Sequence, residues 1–159
     1  MSGAVARAMR EEAVRAFPFE TGGVLLGYWA REYEEVVVTH ATGPGPRAVH
    51  RMHSFVPDAE YQEAEVARLY EESGRVSTYL GDWHSHPLGT VSLSRRDRRT
   101  LRHIAGHREA RAPVPIMAVI GGGDPDWFLG VWRFAPIRLG VILLRSGIVS
   151  MEPRFFDEK

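Results

Sequence analysis

The chain has 159 residues with 20 Lys+Arg against 20 Asp+Glu, a formal net charge of +0, so no excess field is available to collect nucleic acid or an anionic membrane. Hydrophobic residues make up 44% and charged residues 25%, the balance of a folded domain and too apolar for a disordered chain. The length supports one domain over residues 1–159 and excludes a complete (β/α)8 barrel, which takes upward of about 200 residues.

With no cysteine in the chain there is no disulfide framework, no thiolate nucleophile and no cysteine-ligated zinc, so any metal must be held by His, Asp or Glu. Met1 to Phe17 mixes Arg7, Arg10, Glu11 and Glu12 with apolar residues. No later stretch reaches the ~18 uninterrupted apolar residues of a membrane span, and the expectation is a cytoplasmic protein that engages neither membrane nor nucleic acid. Lys159 is the only lysine, an arginine bias that genomic codon usage explains more simply than selection against lysine conjugation.

Ala4, Val5, Ala8, Met9, Ala13, Ala16 and Phe17 recur at helical spacing and predict a first helix stopped by Pro18. Gly22 to Trp29 and Glu34 to Thr39, the latter with Val36, Val37 and Val38, read as two strands forming a hairpin. Gly43-Pro44-Gly45-Pro46 is a loop, and Met52 to Phe55 reads as a short strand. A second helix spans Asp58 to Glu72, with Ala59, Val66, Ala67 and Tyr70 on its buried side and Ser73-Gly74 ending it. Val76 to Ser85 is a strand halted at Pro87, and a polar loop leads to a third helix from Ser94 to about His107. Val114 to Ile120, Trp127 to Phe134 and Val141 to Met151 are further strands, with Gly121 to Pro125 read as a turn because the glycines lack the Gly-Lys-Ser/Thr ending of a phosphate loop. The element order predicts an α/β fold, a mixed sheet with helices packed on it.

The strand–loop–helix unit in the middle holds the chemistry. Side chains at i and i+2 of a strand share a face, so His84 and His86 project together while Trp83 and Ser85 point the other way. Asp97 follows in the first turn of the third helix, after a loop long enough to fold it back. His84-x-His86-x10-Asp97 supplies three positions of a tetrahedral zinc site and leaves one open for water, the mark of a catalytic rather than a structural metal. Asp82 shares the strand face and is placed to orient a ligand from behind.

Other readings of these residues stand beside this one. A His-x-His pair on an edge strand can be two surface imidazoles. Ser94-x-x-Asp97 also reads as a capping box, which is compatible with ligation because an acid at a helix start is already favoured there. Two His and one carboxylate also suit Fe(II), so the ligand types leave the metal open. Glu20, just before the glycine-opened strand, is placed to be a buried base, although an exposed turn acid is the commoner case. His103 and His107 read as solvated, His40, His50 and His53 receive no role, and Trp127 and Trp132 fit strand core.

Glu20 with Gly22-Gly23-Val24-Leu25-Leu26-Gly27, Gly81-Asp82-Trp83-His84-Ser85-His86-Pro87, and Ser94-x-x-Asp97 together resemble the JAMM (MPN+, JAB) zinc metalloproteases, over more than half the chain. Within that family the resemblance is to the small bacterial deconjugases found beside ubiquitin-like activating and conjugating enzymes in antiphage operons. It implies a mixed sheet flanked by helices, similar to the zinc-dependent cytidine deaminases. It also implies one Zn2+ per chain on His84, His86 and Asp97, Glu20 as general acid/base, and Ser94 as donor to the oxyanion. Leu93 departs from the Pro that many relatives carry before the serine.

The activity so implied is hydrolysis of the amide after the C-terminal glycine of a ubiquitin-like protein, by deconjugation or precursor processing. A peptidase acting on adducts of a ubiquitin-like sulfur-carrier protein is the alternative, and a metal-free MPN-type scaffold is the alternative of another class. If Gly22 to Leu26 borders the cleft, its free backbone groups are expected to pair with the substrate tail by β-augmentation.

Overall fold

A computed structural model describes residues 1–31, 33–139 and 142–157; Val141 and Lys159, named above, lie outside the described residues. Helix α1 (Gly3–Ala16) starts where the Ser2 side chain accepts from the Ala4 amide, and it buries Val5, Met9 and Ala13. These are every fourth residue of the apolar stripe, the spacing that keeps one helical face toward a sheet. Strands β1 (Gly22–Ala30) and β2 (Glu35–Ala41) form the expected hairpin. Helix α2 (Ala59–Glu72) is capped by Asp58, strand β5 (Thr78–Pro87) leads to helix α3 (Arg95–Gly106), and β6 (Ile116–Gly123), β7 (Asp126–Leu139) and β8 (Ile142–Met151) complete the chain.

Six strands make one mixed sheet in the order β2-β1-β5-β6-β7-β8, in which β5 and β6 run parallel and every other pairing is antiparallel. Alternation along the central strands sorts their side chains between two faces. Leu25, Trp83, Ile116, Ala118 and Ile120 face α1. Val24 and Leu26 face α2, and Met117 and Val119 face α3 with Leu93, Leu101 and Phe134. The α/β class, a mixed sheet flanked by three helices, is as the sequence predicted.

Two predicted segments differ. Met52 to Phe55 is not one strand: β3 (Val49–Arg51) and β4 (Ser54–Val56) form a separate two-stranded sheet with Met52 and His53 in the turn. Three-residue strands are too short to show a period. The turn expected at Gly121 to Pro125 shrinks to Asp124-Pro125, because β6 stays in register with β7 through Gly123↔Asp126 and with β5 through Pro87↔Gly122. The glycines serve that close packing: a Cβ on Gly121 would lie 2.7 Å from the Thr90 carbonyl carbon.

Leu93 is 6% exposed and packs in the α3-side core with Leu101 and Met117. The residue that departs from the family pattern therefore pins the loop between β5 and α3 by burial. Leu93→Ala is expected to lower stability by about 2–4 kcal/mol in chemical unfolding, through lost burial and the cavity it leaves.

Candidate metal centre

The bulge in β5 decides which side chains share the cleft. Pairing with β1 shifts register between Leu25↔Gly81 and Leu26↔Tyr79. The extra residue places Tyr79, Asp82, His84 and His86 on the face covered by α2 and α3, while Leu80, Trp83 and Ser85 turn into the α1-side core or toward β1. The Tyr79 hydroxyl accordingly donates to Asp82 Oδ1 at 2.7 Å.

His84 Nε2 and His86 Nε2 lie 3.0 Å apart. The Asp97 carboxylate is 3.4 Å from His84 through Oδ1 and 3.5 Å from His86 through Oδ2. Tetrahedral coordination at bond lengths of ~2.0–2.1 Å requires donor atoms about 3.3 Å apart, so the triangle has the size a small divalent cation needs. Three donors of His and carboxylate type converge here.

Two of the donors are held from behind. His86 Nδ1 lies 2.9 Å from the Thr90 carbonyl; donating there leaves Nε2 with its lone pair facing the other donors. Thr90 can come so near because Gly121 carries no side chain. Asp97 Oδ2 accepts from the Ser94 amide at 2.7 Å and the Asp97 amide donates to Ser94 Oγ at 3.2 Å, which is the expected capping box. Capping occupies one oxygen, so Oδ1 remains turned to His84, and the Ser94 hydroxyl proton stays available to donate.

Burial opposes ionisation of Asp97, but its hydrogen bonds with His84 and His86 overcome that and hold its carboxyl well below the ordinary range. The bond with Asp97 raises His86 above its ordinary 6.5. Ligation needs the neutral ring, so a proton competes with the metal for His86 as the pH falls.

Glu20 lines the same cavity of about 350 Å³ as Asp82, His84 and Asp97. Burial raises its carboxyl above the ordinary value, with His84 and His86 acting in the opposite sense. A carboxylate whose pKa is raised toward neutrality is a better proton carrier than an exposed one. Asp82, deeper in the cavity, is raised by burial while the Tyr79 hydroxyl offsets part of that. Its hydrogen bond is thus to Tyr79.

The residues that fix Glu20 were given no role in the sequence reading. The Thr21 amide donates to Ser85 Oγ at 3.0 Å and the Ser85 amide donates to the Thr21 carbonyl at 2.8 Å. Ser85, between the two histidines, thus locks the position after Glu20 to the strand that carries the ligands. On the other side the Glu20 amide donates to the Arg51 carbonyl at 2.8 Å, and His50 Nδ1 meets the Glu20 carbonyl at 3.0 Å. One signal was readable: a serine on a core-facing strand position must find a buried hydrogen-bond partner.

The chain is matched over residues 2–134 by the family of prokaryotic homologues of the JAB domain. It belongs to that family. The JAB-domain chain is 42% identical over 129 residues to the Sinorhizobium fredii protein named "Probable metalloprotease y4qB", covering 80% of this chain and 78% of that one. It is 27% identical over 145 residues to a CD-NTase/cGAS isopeptidase of Enterobacter hormaechei, covering 86% and 77%. The solution structure of protein DSY2949 from Desulfitobacterium hafniense superposes with a TM-score of 0.63 at 19% identity over 99% of this chain and 92% of the other, a likeness of fold. JAB-domain proteins are metal-dependent hydrolases, and the His-His-Asp group fits that chemistry. No helix among the described residues is long and apolar enough to cross a membrane.

One expectation is overturned. β1 does line the cavity through Gly23 and Val24, but it is an interior strand, bonded to β5 over Gly22–Gly27 and to β2 over Leu25–Ala30. The Val24 amide donates to Thr42 Oγ1 and its carbonyl accepts from the Thr42 amide, so from Val24 onward β1 offers no free edge to a substrate. Beside the cleft the open edge is that of β4. Among the described residues β4 pairs with β3 alone, and its Phe55 and Val56 line the cavity.

Removing the Ser94 hydroxyl should separate two roles. Ser94→Ala loses the side-chain half of the cap, about 1 kcal/mol in thermal unfolding, and turnover is expected to fall further than that destabilisation explains. A fall in stability with unchanged turnover would leave Ser94 a cap only.

Proposed function

We propose that this chain, as one domain over residues 1–159, is a cytoplasmic zinc isopeptidase that hydrolyses the amide after the C-terminal glycine of a ubiquitin-like protein. The observation that carries the reading is the joint placement of three donors 3.0–3.5 Å apart and a half-buried carboxylate, Glu20, that lines one cavity with His84 and Asp97. His84, His86 and Asp97 hold the metal, which when bound supplies a Lewis acid and lowers the pKa of water toward ~7. Glu20 takes the proton of the attacking water and returns it to the leaving amine. The Ser94 hydroxyl donates to the carbonyl oxygen as it gains charge. Asp82, held by Tyr79, lines the same cavity as His84 and adds a carboxyl to its wall.

The choice of tail rests on the cleft walls. An extended chain laid along the open edge of β4 runs between Phe55 and Val56 on one side and the ligand strand on the other, and a glycine passes where a branched residue meets those walls. Relatives named CD-NTase/cGAS isopeptidase support deconjugation over the sulfur-carrier alternative. An isopeptidase that undoes such a conjugate implies activating and conjugating enzymes of an antiphage operon as working partners. The intact donor set speaks against a metal-free scaffold.

The test is cleavage of a fusion carrying a ubiquitin-like tail that ends in glycine, with products identified by mass spectrometry. Cutting after the glycine is expected, falling by about 10² or more when that glycine is replaced by Trp, the size expected when a group that must sit at the reacting centre is displaced. Equal cutting of both fusions, or cutting at internal sites of unfolded proteins, overturns the reading.

A further inference from the structure

Helix α3 carries five arginines, Arg95, Arg96, Arg98, Arg99 and Arg102, in 12 residues, and Asp97 is its sole acid. Elsewhere Arg15 pairs with Glu12, Arg68 with Glu65 and Glu72, and Arg75 beyond α2 with Glu71, while Arg7 and Arg10 stand singly on α1 without a carboxylate partner among the described residues. Among the described residues no carboxylate lies within 4.0 Å of any α3 guanidinium. Arg95, Arg99 and Arg102 are exposed and fall at i, i+4 and i+7, one stripe about 10 Å long. Like charges at these spacings repel and weaken a helix. A chain of net charge +0 that pairs the one arginine of α2 twice over leaves five on α3 without a carboxylate.

The stripe runs beside the face of α3 that lines the metal cleft. Asp97 is in the first turn of α3, and Arg96 and Thr100 line the cavity. Whatever meets this face therefore lies beside the bond being cut. We propose that α3 docks an acidic face of the folded protein attached at the scissile amide, an inference that rests on the isopeptidase reading above. The guanidinium fork matches carboxylates bidentately. The surface elsewhere favours a protein over an extended polyanion: Glu63, Glu65, Glu71 and Glu72 crowd α2, and the chain has no net field to hold nucleic acid. A local acidic patch on a mixed-charge protein gains the α3 attraction without meeting the α2 repulsion. Attraction between exposed charges of this kind acts on encounter and KM, and it is screened by salt.

The experiment uses two fusions in which the same tail is joined through its terminal glycine to a green fluorescent protein body, so that cutting after the glycine releases the body, one body neutral at its surface and one made acidic by surface substitution. They are given to the zinc-loaded enzyme and to its Arg95→Gln/Arg99→Gln/Arg102→Gln variant, whose helix propensity is little changed. The wild type is expected to cleave the acidic fusion with a KM about tenfold lower at low salt, with kcat equal for both fusions and the preference gone at ~0.5 M salt. The variant is expected to treat both fusions as the wild type treats the neutral one. Equal KM values in the wild type overturn the docking surface while leaving the isopeptidase reading intact. If neither fusion is cut, that reading fails and fluorescence polarisation decides the surface. Binding of the acidic body that is about tenfold tighter to the wild type than to the variant supports it; equal binding, or tighter binding of an oligothymidylate, overturns it.

Discussion

Glu20→Gln is expected to lower turnover of the tail fusion by about 10² or more while zinc content and melting temperature stay at their wild-type values. The substitution keeps shape and volume but removes the group that accepts a proton. Burial already disfavours the charged carboxyl at this position, so a neutral amide in its place carries no folding penalty of its own. The backbone clamp on Glu20 from Arg51 and His50 does not involve the carboxyl, so the local chain should not move. Initial rates with metal analysis on the same preparation check this. A variant that keeps nearly wild-type turnover assigns the base to another group.

Removing a ligand should act on metal and activity together. His84→Ala, His86→Ala and Asp97→Ala each take away one of three donors, and zinc is expected to fall from about one per chain to a small fraction, with turnover at background. Asp97→Ala also removes the acid half of the α3 capping box, so it should melt lower than either histidine variant by about 1 kcal/mol. Asp97→Asn keeps a capping oxygen and separates the two losses. Because His86 is raised above 6.5 by Asp97, wild-type zinc affinity should weaken as the pH is lowered through that raised value, where the ring protonates. Elemental analysis after dialysis at stepped pH reads both effects; full zinc in all three alanine variants would remove the site.

Much of the centre was legible because its determinants are local. A two-residue repeat on a strand puts His84 and His86 on one face whatever surrounds it. Ser94 and Asp97 form their capping box within one helical turn. Of the α1 stripe, Val5, Met9 and Ala13 are buried while Ala4, Ala8 and Phe17 are exposed, and the apolar run of β6 is buried on both faces from Ile116 to Ile120.

What the sequence by itself determined is therefore the donor chemistry, the order of elements and the face of β5 that carries the histidines, all set by interactions within a few residues, whereas α2 buries Gln62 and Leu69 and leaves the expected Ala59 and Ala67 exposed. Only the tertiary structure decided where those pieces meet. The bulge at Leu80-Gly81 exists because β5 must pair with β1, and it turns Tyr79 onto the face of Asp82. Glu20 is fixed by Ser85 from one strand and by Arg51 from another, contacts that span 64 and 31 positions of chain for Thr21–Ser85 and Glu20–Arg51. Strand order made β1 interior and left β4 open beside the cleft. Such features depend on which backbone groups find partners across the sheet, and each hydrogen bond of that kind is settled by the fold as a whole, because a buried amide takes whichever acceptor the packed chain brings to it.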